Sequence, residues 1–110
     1  MNIDFDYYQH KASKTAIYPG RYAILYPALG LANEAGEVAG KIKKVLRDND
    51  GDFTPEYVEK IKSEMGDVLW YFAALASDLG LYMGDIATDN LDKLSGRAER
   101  GTLGGDGDSR

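Results

Sequence analysis

Apolar residues recur at steps of three and four along almost the whole chain, the period of one face of an α-helix. β-Branched residues are sparse, with six Ile, four Val and four Thr. They are scattered too widely for the alternation of strands. The pattern predicts an all-α fold of four helices. The first spans about Ile3 to Lys14 and ends before a loop marked by Pro19 and Gly20. The second spans about Ala28 to Arg47, with Leu31, Ala32, Ala35, Val38, Ala39, Ile42, Val45 and Leu46 on one side. It stops where Asp48-Asn49-Asp50-Gly51-Asp52 supplies turn chemistry. The third opens on Thr54 as N-cap, with Pro55 at the first helical position and Glu56 facing the positive dipole end, and reaches Leu79. At 1.5 Å per residue it would be roughly 37 Å long. The fourth runs from Asp85, its expected N-cap, to Arg100, with Ile86, Leu91, Leu94 and Ala98 inward. The elements imply a four-helix bundle with two long antiparallel central helices. Residues 1–100 then form one domain, and residues 101–110, with four glycines, a flexible tail.

A chain of 110 residues has room for one domain. Leu, Ile, Val and Phe number 24 of these, enough to fold but too few to cover a thin bundle on every side. Five of the eight tyrosines fall in the first 26 residues and also need cover. Association with a further subunit is therefore expected, with residues 1–20 contributing to it. The net charge of −5 lacks the footprint of a protein that tracks a nucleic-acid polymer or an anionic membrane. The absence of cysteine excludes a disulfide scaffold, a zinc ribbon and thiol catalysis, and fits a reducing compartment. Asp4 and Asp6 interrupt the first apolar stretch, so no signal peptide is expected and the cytoplasm is the expected location.

One short repeat links the two central helices: Glu34-Ala35-Gly36-Glu37-Val38 and Glu64-Met65-Gly66-Asp67-Val68, thirty positions apart in the same register. Acids three apart share a helix face. At 100° per residue, Glu34 lies about 20° from Val45 and Glu64 about 20° from Leu75, at the margin of each apolar arc. If the helices pack antiparallel through those arcs, four carboxylates meet in a half-buried cleft that only a cation makes tolerable. An all-oxygen set without His or Cys suits Mg²⁺, with Mn²⁺ as the alternative. Gly36 and Gly66, each costing roughly 1 kcal/mol in a helix interior, suggest that a backbone or ligand comes close there. Lys41, Lys43, Lys44 and Arg47 follow the first pair, and Lys93 and Arg97 stand one turn apart on the fourth helix. Acids holding divalent ions beside such cations form the arrangement of phosphoryl chemistry. Solvated faces with pairs such as Glu37 to Lys41 are the bland alternative. A calcium loop is a poorer fit, because Asp48, Asp50, Asp52 and Glu59 have the spacing but Phe53 stands where glycine is needed.

At these residues the chain resembles the MazG-like, all-α nucleoside triphosphate pyrophosphohydrolases. Their Glu-Glu-x-x-Glu and Glu-x-x-Asp patterns stand here as Asn33-Glu34-Ala35-Gly36-Glu37 and Glu64-Met65-Gly66-Asp67. The strings GLANEAGEVAGKIKK, EMGDVLWYFAALA and NLDKLSGRAERGT extend the likeness over most of residues 25–102. Asn33 departs from the family's first acid. The resemblance implies hydrolysis of a nucleoside or deoxynucleoside triphosphate to monophosphate and pyrophosphate, with Mg²⁺ on Glu34, Glu37, Glu64 and Asp67. It gives Asn90, Lys93 and Arg97 to the phosphates and implies a homodimer or homotetramer. A carboxylate not fully used in coordination, Glu34 or Glu37, is the expected proton acceptor; Tyr71, one turn after Asp67, and Trp70 are expected to border the base, and Lys44 is expected as a further phosphate contact. Hydrolysis of a guanosine alarmone and a non-catalytic helical interaction module are the alternatives.

Overall fold

The computed structural model describes residues 2–110, and among them finds four α-helices, one short 3-10 turn and no strand. Helix α1 is Phe5–Ser13, α2 Leu25–Asp48, α3 Pro55–Asp78 and α4 Met83–Arg100, and the turn is Gly20–Tyr22. Helix α1 starts where the Asp4 carboxylate accepts the Tyr7 amide at 2.7 Å. Helix α3 starts at Thr54 as the sequence implies, its hydroxyl accepting from the Tyr57 amide. Gly101, with φ 71°, closes α4 in the left-handed conformation that glycine tolerates.

Helix α1 begins two residues later than the spacing implies, at Phe5. Two further starts differ by three residues, and each is set by a distant side chain. Helix α2 begins three residues early, after Ile24, whose φ of 69° is unusual for a β-branched residue. The Asp78 carboxylate holds that residue by accepting its amide at 2.9 Å, and the same oxygen accepts the Tyr18 hydroxyl at 2.7 Å. Helix α4 begins at Met83 instead of after Asp85, and Tyr82, its N-cap, offers no side-chain bond. Helix α1 supplies the missing cap. Gln9 Oε1 accepts the Met83 amide at 2.8 Å, and Asp6 Oδ1 accepts the Gly84 amide at 2.9 Å. Gln9 is buried and also donates to the Leu81 carbonyl and the Ser77 hydroxyl, so it ties the end of α3 to the start of α4.

The core is small. Ala73, Ala76 and Met83 are buried together, with Tyr8, Ala12, Phe72 and Ile86 packed around them. Helix α2 packs on α3, α1 on α3, and α4 chiefly on α1. Because α4 docks through its first turns, only Ile86 of its expected apolar stripe turns inward within one chain, and Leu91, Leu94 and Ala98 are exposed. An apolar groove of about 710 Å³ separates that stripe from α2 and α3, lined by Val38, Met65, Leu69, Phe72, Ile86 and Ala87 among others. The radius of gyration, 16.9 Å, exceeds the value of about 13 Å expected for a compact chain of this length.

Candidate active site

Along the contact between α2 and α3, later residues of one helix meet earlier residues of the other: Gly30 faces Tyr71, and Lys41 faces Glu64. Between these points the carboxylate oxygens of Glu34, Glu64 and Asp67 lie within 4.8 Å of one another. Oxygens around a Mg²⁺ ion at about 2.1 Å stand at most about 4.2 Å apart, so small side-chain rotations would close the group on one ion. Donors of oxygen alone complete the fit. Glu34 and Glu64 are half-buried, and Asp67 is exposed. The Glu34 carboxyl is pushed above its usual range, first by burial and then by the charges of Asp67 and Glu64, with Glu37 adding to them. Crowded acids of this kind gain most from a cation.

Glu37 is not part of the group of three. It lies 60° around α2 from Glu34, on the exposed side, and acts on the group through its charge. The Lys41 ammonium stands 4.0 Å from the Glu64 carboxylate. Lys41 is about 20° from Glu34 around the helix and Lys44 about 80°, which is why Lys41 reaches the acids. Lys44 is exposed and acts on Asp48, whose carboxyl is held low by Arg47 and further by Lys44. The spacing from Glu34 would have singled out Lys41.

Tyr71 stands at the rim. Its hydroxyl is pushed above the usual phenol range by burial, then by Tyr26, and then by Glu34 and Asp67. The ring belongs to a series of aromatic contacts: Tyr18 stacks on Tyr26 at 4.9 Å, Tyr26 lies 6.2 Å from Tyr71, and Trp70 meets Tyr71 edge-on at 5.0 Å. The Trp70 indole donates to the Thr15 hydroxyl at 2.8 Å. Tyr8 of α1 joins the rim, its phenol raised by burial and by Asp67. The sequence marks Tyr8 only as one of the five tyrosines of the first 26 residues, because its place beside Asp67 depends on the packing of another helix.

Helix α4 carries Asn90, Lys93 and Arg97. Asn90 lines the apolar groove. Arg97 is buried, and its Nε has no hydrogen-bond partner. The segment after Gly101 folds back so that the Asp108 carboxylate accepts from Lys93 Nζ at 3.2 Å and from Arg97 Nη2 at 3.1 Å. Asp108 is held below its usual range by Arg97 and then by Lys93. Among the described residues no ion pair joins Lys93 or Arg97 to the three acids. The two glycines of the repeat, Gly36 and Gly66, face open space in the single chain. The close approach lies six residues before Gly36, at Gly30.

Carboxylates that converge from two consecutive long helices of an all-α protein form a group able to hold a divalent ion. The family model of the MazG nucleotide pyrophosphohydrolase domain matches residues 26–102, and the chain belongs to that family. It is also 45% identical over 116 residues to the "Gene 37 protein" of Mycobacterium phage L5, with both chains covered completely. No solved structure matches. Among the described residues no helix is long and apolar enough to cross a membrane.

Proposed function

We propose that this chain is a Mg²⁺-dependent pyrophosphohydrolase that converts a nucleoside or deoxynucleoside triphosphate to the monophosphate and pyrophosphate. The observation that supports this most is the convergence of Glu34, Glu64 and Asp67 from two helices to within 4.8 Å, inside a domain of this family. These three residues would hold the ion, with Glu37 beside them. When bound, Mg²⁺, or Mn²⁺ in its place, neutralises the triphosphate and acidifies a coordinated water. Glu37, outside the group of three, is the free carboxylate that accepts the proton of the attacking water. Lys41 balances charge at Glu64, and Tyr71 borders the base. Lys93 and Arg97, one turn apart, clamp phosphate oxygens, with Asn90 on the groove wall and Lys44 as an outer contact. A second copy of the chain covers the apolar groove and the exposed stripe of α4, giving a homodimer or a dimer of dimers in the cytoplasm.

The test is pyrophosphate release from a panel of nucleotides, a guanosine alarmone included, with Mg²⁺ and with EDTA. Release is expected with Mg²⁺ alone, and Glu64→Gln should abolish it while helical circular dichroism is unchanged. Normal turnover by that variant would refute the metal assignment. Light scattering at full activity should give at least twice the chain mass of 12.1 kDa.

A further inference from the structure

We infer that Gly30 and Tyr71 form the spacer that sets the distance between α2 and α3 at the carboxylate group, making Gly30 a positioning residue for the cation. The inference rests on reading Glu34, Glu64 and Asp67 as the cation site.

Gly30 is one turn before Glu34 on α2, and Tyr71 is one turn after Asp67 on α3. A Cβ added at Gly30 would run into Cε1 and Cδ1 of the Tyr71 ring and sit 2.6 Å from its Cζ. The ring therefore lies directly against the backbone of α2, a fit that only glycine permits. Gly36 and Gly40 of the same helix have nothing within 4 Å of the equivalent position, so the requirement is specific to residue 30.

The ring has little room to retreat. Tyr26 flanks it at 6.2 Å and Trp70 at 5.0 Å. Trp70 is tethered to Thr15, and Tyr26 is backed by Tyr18, which is itself bonded to Asp78. A methyl group at residue 30 needs about 3.5 Å from ring carbons, so relief requires the two helices to part by about an ångström. Glu34 and Asp67, each one turn from the contact, move with their helices. Mg²⁺ demands near-ideal octahedral geometry, and a site tolerates errors of only about 0.5 Å. The separated carboxylates would then no longer share one ion well.

The experiment titrates Mn²⁺ into the full chain, without substrate, for the unmodified protein, Gly30→Ala and the double variant Gly30→Ala with Tyr71→Ala. Gly30→Ala should weaken Mn²⁺ binding by roughly tenfold to a hundredfold, the range for lost support around a metal site. Its pyrophosphate release should recover as Mn²⁺ is raised, which a purely structural defect would not do. The double variant removes the ring and should regain most of the affinity, even if Gly30→Ala alone does not fold. Unchanged affinity in Gly30→Ala, or a double variant as weak as the single one, overturns the spacer while leaving the cation site standing. Absence of Mn²⁺ binding in the unmodified protein overturns both.

Discussion

Replacing Gln9 by Leu tests what holds α4, and with it Lys93 and Arg97, in place. Gln9 is 6% exposed and makes three hydrogen bonds: its amide donates to the Leu81 carbonyl at 2.8 Å and to the Ser77 hydroxyl at 3.0 Å, and its oxygen accepts the Met83 amide at 2.8 Å. Each neutral bond contributes about 1 kcal/mol, and leaving the Met83 amide buried without an acceptor costs about 1–3 kcal/mol more. Leucine fills similar space and returns about 1–2 kcal/mol through its apolar surface. The net loss is about 2–5 kcal/mol. At about 4 °C per kcal/mol for a domain of this size, the melting midpoint should fall by about 8–20 °C. The assay is thermal unfolding followed by circular dichroism at fixed protein concentration, because association also shifts the midpoint. A fall of less than about 3 °C would refute the cap, since even one lost bond is worth that much. With the fold retained, KM for the triphosphate should rise more than kcat falls, because α4 carries Lys93 and Arg97, the phosphate clamp proposed above.

Asp108→Asn should lower KM for the triphosphate about two- to fivefold at unchanged kcat, because its carboxylate occupies both Lys93 and the buried Arg97, and is itself open to water, which weakens the pairs. An unchanged KM would show that the substrate does not displace it. Gly36→Ala should raise the melting midpoint by about 4 °C, the effect of about 1 kcal/mol at an exposed helical glycine with nothing near it; a fall would mean that a second copy is seated there. The Tyr18 phenol is pushed up to about 12, first by burial and then by its bond to Asp78, from an ordinary value of 10.0. The folded state thus keeps a proton that the unfolded chain releases above pH 10, and this contribution is full below pH 10 and fades as pH rises towards 12. Denaturant unfolding should show the stability gap between the unmodified protein and Tyr18→Phe constant from pH 7 to 9 and shrinking above 10; a constant gap throughout would refute the linkage.

The helices and the acids were legible in the sequence, because both are local. Apolar spacing marks a helix without reference to any other segment, and Thr54-Pro55-Glu56 carries its own start signal. The repeat places Glu34 and Glu64 at equivalent margins of their helices, and both are half-buried. Where the cause lies elsewhere in the chain, the sequence is silent. Helix α4 starts at Met83 because Gln9 and Asp6 of α1 accept its first amides, and α2 starts after Ile24 because Asp78 of α3 holds that residue. Periodicity gives α4 an inward stripe, yet Leu91 and Leu94 stay exposed, since a helix face records apolarity without saying which chain will cover it. The sequence marks Gly36 and Gly66 as unusual but not Gly30 as the one that matters, because the need for glycine there comes from the Tyr71 ring, 41 residues away. Backbone propensity and period belong to a few neighbouring residues, while caps, close approaches and shared coordination depend on distances that exist only after the helices have packed.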